Sequence, residues 1–553
     1  MNLMLLTGRD ALAHVDSVAF QSRWKTLYDG CPWATACQHP DFVSAWYEVC
    51  HKTILPIIVF EESADGALAA LLTLALHQDG TTMTGAGGHH AEYQGWIQAP
   101  DYGGNFIIDA IKEVRAVFPG VNLCLKYLPP GTPLHWIEQN ADYDAVRSLR
   151  CHRRPVMKID AAAMARQRSK KNYRQNFNRL KRLGDVQFES VVAHHDFIRV
   201  FDEICVQYDF RQAALYRNMP FASDPTKKRL YLELQKRGLL HTTLLTVGKE
   251  VAASHIGLLS KDGTVHLGIN TYDPALASHS PGHLLLAMLG VHLATEQMSV
   301  LDLTPGGDEY KERFATEHDA VFELTIYSDS KSRLRTETLL SMKRVAKNRL
   351  RIAGYRTADV LAALEKLRRF RSFAWRDLLG HLHSRFDSRS CAFRYCQEPP
   401  AVIKSRLAIS KDRLRDVLKY DAQGSSARYC EFLGGVMKRF ERSNHLYSFV
   451  QDEKLQIFCW VRIGTVEPAR RRPAPVAAVA VEAVVLFDLY VHPHLADHGL
   501  VQRFMEQILS ELRKHQLDAE FYYRGALDVA LQPVLRSCGF IDEPRRRARA
   551  DDA

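Results

Sequence analysis

Residues 264–314 read TVHLGINTYDPALASHSPGHLLLAMLGVHLATEQMSVLDLTPGGDEYKERF, and this stretch decides the fold. Thr264–Thr271 follows an Asp262–Gly263 turn and has the composition of a strand. A loop, Tyr272–Pro281, leads to a helix over Gly282–Thr295, a strand over Ser299–Thr304 and a short helix over Asp308–Phe314. The junction is His279–Ser280–Pro281–Gly282–His283–Leu284. Pro281 pre-sets the helix entry and Gly282 permits close backbone approach. Such a helix start offers free N–H groups and a partial positive charge, enough to receive a pyrophosphate without a basic side chain. For the tripeptide alone, a plain Ser-Pro-Gly helix start is the alternative.

Working outward, the segment 156–330 also contains helices over Ser169–Leu183 and Asp196–Phe210. Its further strands are Leu240–Thr246, Val251–Ser260 and Val321–Ser328. The segment 1–155 alternates strands and helices in the same way, with strands at Asn2–Leu6, Ile54–Phe60 and Ala67–Leu76 and an aromatic helix from Trp33 to Trp46. Gly85, Gly87 and Gly88 form a loop before His89, His90 and Tyr93; it lacks the Lys-Ser/Thr of a P-loop. The segment 386–545 repeats the grammar, with strands Lys454–Ile463, Val481–Tyr490 and Ala519–Tyr523 and helices Leu500–His515 and Leu527–Ser537. Between the second and third segments, 331–385 reads as a basic helical connector, and 546–553 is a tail. The expected class is α/β: tandem mixed sheets flanked by helices, plus a third domain of the same kind.

A chain of 553 residues argues for several domains. A hydrophobic fraction of 46% and a charged fraction of 25% exclude disordered, collagen-like and disulfide-scaffold chains. No apolar run reaches the roughly 18–20 residues of a membrane span, and Met1–Thr7 lacks the features of a signal peptide. The 11 cysteines are scattered and no pair forms a CxxC, which fits reduced thiols and gives no metal-ligand spacing. The expected location is cytoplasmic. Net charge is +10, and residues 331–371 alone carry 13 Lys/Arg against three acids. Residues 166–182 add eight bases and no acid. Such runs are solvated helix faces or surfaces for an anionic membrane. With Tyr355 and Phe370 as the aromatics of 331–371, a nucleic-acid partner is not expected.

Several ordered pieces carry a family resemblance. Tyr272–Asp273, Ser280–Pro281–Gly282, Leu301–Asp302–Leu303 and Gly307–Asp308–Glu309–Tyr310–Lys311 form its signature half. Ser169–Lys170–Lys171–Asn172–Tyr173–Arg174 looks like its basic helix start, and Val251–Ala252–Ala253–Ser254–His255 like its inner strand. Trp24, Gln38–His39–Pro40–Asp41–Phe42 and Trp46 look like its N-terminal opening. Together they resemble the CelD-type (cellulose-biosynthesis-like) acetyltransferases of the GNAT superfamily, in a FemAB-like double-GNAT layout, over about residues 1–350. Tyr490–Gly539 also resembles a GNAT domain. There, however, the phosphate turn reads Ala496–Asp497–His498–Gly499–Leu500–Val501, and Val501 stands where a small residue is expected to leave room for a pyrophosphate.

The resemblance implies an acyltransferase in which an amine or hydroxyl attacks the thioester of acetyl-CoA or another acyl-CoA, with no metal. It implies a small-molecule or polysaccharide-precursor acceptor. The donor would sit on Ser280, Pro281, Gly282, His283 and Leu284. His255, in mid-strand, is either a base or a hydrogen-bonded core histidine. Asp302, between apolar neighbours, must face a cleft or be paired: it is a catalytic carboxylate or a partner of the 306–311 turn. Tyr272 is a candidate catalytic donor, and Tyr93, Tyr310 and Lys311 are candidates for substrate contact. The alternatives are an aminoacyl-tRNA-dependent amide ligase and a non-catalytic membrane-peripheral scaffold.

Overall fold

In the computed structural model, the strand–helix–strand order of 264–314 occurs twice within one sheet. The structure describes residues 2–352, 388–396, 406–422, 426–466, 481–495, 497–516 and 519–542. The connector beyond 352 and the tail lie outside the described residues, as does Ala496 of the third segment's turn. The chain divides into two compact units: the first holds 1–208, 220–272 and 279–354, and the second holds 209–219, 273–278 and the described residues after 387.

The strands of the first unit are β1 (Asn2–Thr7), β2 (Ile54–Glu62), β3 (Leu68–His77), β4 (Thr82–Gly85), β5 (Trp96–Gln98), β6 (Asn122–Leu128), β7 (Arg147–Lys158), β8 (Val186–Ser190), β9 (Leu240–Val247), β10 (Glu250–Leu259), β11 (Thr264–Tyr272), β12 (Val300–Asp302) and β13 (Glu317–Ile326). They join in one mixed sheet of order β1-β2-β3-β4-β6-β13-β7-β12-β11-β10-β9-β8, with β5 paired to β3. The order is a near-palindrome. Each half has one parallel pair, β4 with β6 and β11 with β12, and a helix crosses between its strands (Phe106–Val117 and Pro281–Thr295). At the centre the halves exchange strands: β7 follows the first half in sequence but pairs with β12 of the second, and β13 pairs with β6 of the first. The segments 1–155 and 156–330 thus share one sheet.

The Trp33–Trp46 stretch is not one helix. Thr35 and Gln38 form a capping box around a 3-10 turn at Ala36–Gln38, and His39 with Pro40 starts a second helix, Pro40–Cys50. The basic helix expected over 169–183 is the helix Lys171–Lys181, and a further helix, Ala161–Ser169, precedes it. Apolar residues of the Pro281–Thr295 helix pack with Met157, Met164, Val265 and Leu301. Gly290 lets the Met164 side chain lie directly on the helix backbone: a Cβ there would come within 2.6 Å of its Sδ and the methionine would have to shift.

The second unit has a seven-stranded sheet built on the same plan. Its strands are β14 (Ser388–Tyr395), β15 (Ile409–Lys411), β16 (His445–Gln451), β17 (Lys454–Val466), β18 (Val481–Val491), β19 (Glu520–Asp528) and β20 (Phe540–Asp542), in the order β15-β16-β17-β18-β19-β14-β20. β18 and β19 are its parallel pair, with the helix His498–His515 between them. The helix expected from Leu527 begins later, at Gln532, because Leu527 and Asp528 pair with β14. Val501 is fully buried in the core under the 498–515 helix, so it does not crowd the phosphate turn as the sequence suggests. The turn differs in another way: the Asp497 carboxylate accepts from the Leu500 amide at 3.1 Å, placing an anion of the protein's own at the helix start.

Candidate active site

Asp302 ends β12 and is completely buried. His266 stands directly opposite it on β11, and Val156 opposite it on β7, so Arg154, two residues along β7, shares its face. The carboxylate collects four donors. Its Oδ2 accepts from the Tyr93 hydroxyl at 2.6 Å, from His266 Nδ1 at 2.9 Å and from Arg154 Nη1 at 3.2 Å. Its Oδ1 accepts from the Thr304 amide at 2.8 Å. Burial opposes ionisation, but the hydrogen bond and charge of His266, the Arg154 guanidinium and the Tyr93 hydroxyl outweigh it and hold Asp302 at about 2. Arg154 is itself anchored by Asp319, whose carboxylate it grips with Nε at 2.6 Å and with Nη2.

An ionised Asp302 can only accept, so His266 Nδ1 carries a proton, and in the neutral ring Nε2 is the acceptor. Nε2 lies 2.9 Å from the Ser260 hydroxyl, and Ser260 Oγ in turn accepts the Ala36 amide at 2.7 Å. With the His266 ring neutral, the Ser260 hydroxyl is placed to donate to it. The N-terminal opening of the chain positions this network. The 3-10 turn delivers the Ala36 amide, and the Gln38 side chain donates to the Tyr93 carbonyl at 3.0 Å. His266 lines two clefts. One, of about 210 Å³, is edged by Trp33, Thr35, Arg154 and Ser260; the other, of about 180 Å³, by His89, His90, Lys227, Gly268 and Thr304. Gly257, on the second cleft, sits where the β10–β11 register shifts; a Cβ there would meet the His266 carbonyl at 2.7 Å.

β11 pairs with β12 only over Thr264–His266 and Val300–Asp302. β11 continues to Tyr272, while the chain after Asp302 turns away through Thr304 (φ 62°) and Gly306 (φ 155°). The strands thus diverge immediately beyond the Asp302–His266 pair. At the far end of β11, Ser280 takes a left-handed φ of 53° and no side chain caps the helix that follows. The His283 and Leu284 amides bond back to the Ser280 carbonyl, and Pro281 has no N–H. Gly282 packs on Tyr272, whose Cδ1 would lie 3.2 Å from an added Cβ.

The structure distributes the sequence candidates unevenly. Asp302 is at the centre of the site. Tyr93 is fully buried with its hydroxyl committed to Asp302, so it supports the carboxylate instead of meeting a substrate. Lys311 is also buried: its Nζ donates to the Thr304 carbonyl and hydroxyl at 3.2 and 3.1 Å, and burial lowers its pKa. Pro281 and Leu284 are buried, leaving the half-buried Ser280 and Gly282 and the exposed His283, which stacks on Phe314, as the accessible part of the expected donor turn. Tyr310 packs at the edge of that same core. His255 is not a partner of Asp302. It is completely buried, neither ring nitrogen has a hydrogen bond, and burial drives its pKa well down. His266, Arg154 and Ser260 were not foreseen. The one available signal was alternation: Thr264, His266 and Gly268 share a strand face, and His266 is its titratable member.

Residues 167–312 match the family model described as acetyltransferase (GNAT) domain. Among solved structures, the chain is similar to the C-terminal domain of a putative lysylphosphatidylglycerol synthetase from Agrobacterium fabrum, at 10% identity and a TM-score of 0.39, over 60% of this chain and 97% of that one. It is similar to FemX at 11% identity and a TM-score of 0.39, over 58% of this chain and 97% of that one. A third is the tandem GNAT protein of the clavulanic acid biosynthesis pathway, at 12% identity and a TM-score of 0.34, over 59% of this chain and 99% of that one. No curated protein matches the chain. The second half of the first unit thus carries a GNAT-type acetyltransferase domain.

Proposed function

We propose that the first unit is an acyltransferase that moves an acetyl or longer acyl group from acyl-CoA to an amine or hydroxyl, in the manner of the CelD-type enzymes. The observation that carries this reading is the divergence of β11 from β12 just beyond Asp302 and His266, followed by an uncapped helix start at Ser280–Gly282. That gap suits a pantetheine arm, and the Gly282 turn suits a pyrophosphate. The pseudo-symmetric first half supports the assignment to one side. By strand register, Thr84 corresponds to His266 and Cys124 to Asp302, so that half lacks the ion pair.

The acyl thioester supplies the electrophile. His266 is the base: it reaches the clefts with an unprotonated Nε2, directly or through the Ser260 hydroxyl, while Asp302 holds its tautomer and balances the imidazolium. Tyr93 and Arg154 keep Asp302 ionised and fixed. Titration of acetyl-CoA and CoA into the full chain tests the reading. Micromolar binding that Gly282→Trp removes is the expected result, and a chain that binds no acyl-CoA is not this enzyme.

A second reading, aminoacyl-tRNA-dependent amide ligation, is favoured by one observation. The helix Lys171–Lys181 exposes Lys171, Arg174, Arg179 and Lys181, and the Arg179 charge bears on His279 just before the donor turn. Salt-sensitive filter binding of charged tRNA would select it over the acyl-CoA reading. We also propose that the helix Ser330–Ile352 meets an anionic membrane. It exposes Leu334, Leu339, Met342 and Val345 beside Lys331, Arg335, Arg344 and Arg349. Co-sedimentation with phosphatidylglycerol vesicles but not with phosphatidylcholine vesicles is expected.

A further inference from the structure

At the opposite end of the Pro281–Thr295 helix from the donor turn, three side chains converge. His292 lies in the last turn, Glu296 caps the helix one turn later, and His241 comes from the start of β9. His241 Nε2 is 2.9 Å from Glu296 Oε2, and His292 Nε2 is 3.1 Å from Glu296 Oε1. The three ligand atoms all lie within 4.8 Å of one another. The second contact is not a hydrogen bond: His292 Nε2 is buried and has no partner in line with it. Two imidazoles therefore gather about one carboxylate, and only one of them is bonded to it.

We propose that His241, His292 and Glu296 form a binding site for a divalent cation of the zinc class. Two imidazoles and a carboxylate are a set that borderline metals prefer. With bonds of about 2.0–2.1 Å and tetrahedral angles, ligand atoms sit roughly 3.3 Å apart; the two imidazole nitrogens lie 2.9 and 3.1 Å from different oxygens of the Glu296 carboxylate and the three ligand atoms lie within 4.8 Å of one another, so side-chain rotations of about an ångström bring them to an ion. Coordination requires the His241 proton to move to Nδ1. That atom is buried and has no partner, so the one hydrogen bond given up is that to Glu296, which the ion replaces. The carbonyl end of the helix adds negative potential. His255 stands beside the site, its ring centroid 5.8 Å from that of His241 and both its nitrogens without partners. A bound ion would clamp the end of the helix to β9.

The other His-carboxylate cluster of the first unit, His89–His90–Asp224, lacks this freedom. The Trp46 indole donates to His90 Nδ1 at 3.2 Å, so His90 Nε2 holds its proton and donates to Asp224 at 3.1 Å. No lone pair of His90 is available there.

The test uses the full chain stripped with a chelator and titrated with Co²⁺, followed by its visible d–d bands, and with Zn²⁺ in competition. One tightly bound equivalent is expected, with a rise in Tm on adding Zn²⁺. Glu296→Gln keeps the size of a partly exposed side chain and should fold. It should weaken Zn²⁺ binding by at least about 100-fold and abolish the Tm rise, while Asp224→Asn leaves both unchanged. A wild-type chain that takes up no stoichiometric Co²⁺ or Zn²⁺ overturns the proposal. So does binding that survives Glu296→Gln or is lost with Asp224→Asn. None of these readouts depends on acyl transfer.

Discussion

His266 and Asp302 face each other at the last paired position of two parallel strands, 2.9 Å from Nδ1 to Oδ2. Beyond that pair the strands part. The arrangement makes the dyad both the end of the hydrogen-bonded sheet and the wall of the gap, and its stability and its chemistry are separable by mutation.

Asp302→Asn should destabilise the first unit by roughly 3–5 kcal/mol at neutral pH, because His266, Tyr93 and Arg154 lose a buried anion. The sign of the pH effect follows from the lowered pKa. Asp302 titrates near 2 when folded and near its ordinary 3.8 when unfolded, so the unfolded chain binds the proton more readily. Its contribution is complete above about pH 4 and is lost as pH falls toward 2. Chemical denaturation of wild type and variant across that range should show the gap narrowing. A gap independent of pH would mean Asp302 is not held as a carboxylate.

His266→Ala should lower kcat by at least about 100-fold, measured as thiol release from acetyl-CoA, with acyl-CoA affinity unchanged. Ser260→Ala should lower kcat less and also leave affinity unchanged, since in the proposed mechanism Ser260 only relays a proton to His266 and lies away from the donor turn. A loss of acyl-CoA binding in either variant would place these residues in the donor site.

His255→Leu should leave thiol release intact and should be neutral or stabilising by about 1 kcal/mol. A buried imidazole without hydrogen bonds costs more than a hydrocarbon of similar size. A fall in Tm would reveal a partner for His255.

In the second unit, Asp497→Ala should cost about 1 kcal/mol of stability, the usual value of a lost N-cap. It should not confer acyl-CoA binding if the second unit has lost more than an open helix start. Isothermal titration of the variant distinguishes the two.

The strand–turn–helix grammar of 264–314 was legible because it is local: alternation, a Pro at the helix start and a Gly beside it act within a few residues. Asp302 stood out because a carboxylate between two leucines must have partners. Tyr93, Arg154 and His266 could not be named as those partners. They lie 209, 148 and 36 residues away, and only strand register brings them to one carboxylate. His255 and His266 look alike in sequence, each a histidine in a strand. Facing decides between them, and facing depends on neighbours that the strand itself does not specify.

The sequence alone therefore determined the element types, the repeated strand–helix–strand units and the burial of Asp302 with partners, since these follow from periodicity and from the cost of burying charge. The tertiary structure decided that the two halves share a sheet by exchanging β7 and β13, and that Ser260, His266 and Asp302 join in one hydrogen-bonded chain. It also decided that the Ser280–Gly282 helix start is open while the Asp497 turn is closed by its own carboxylate. Each of these depends on contacts between segments far apart in the chain, where register and packing, and not local preference, set which groups meet.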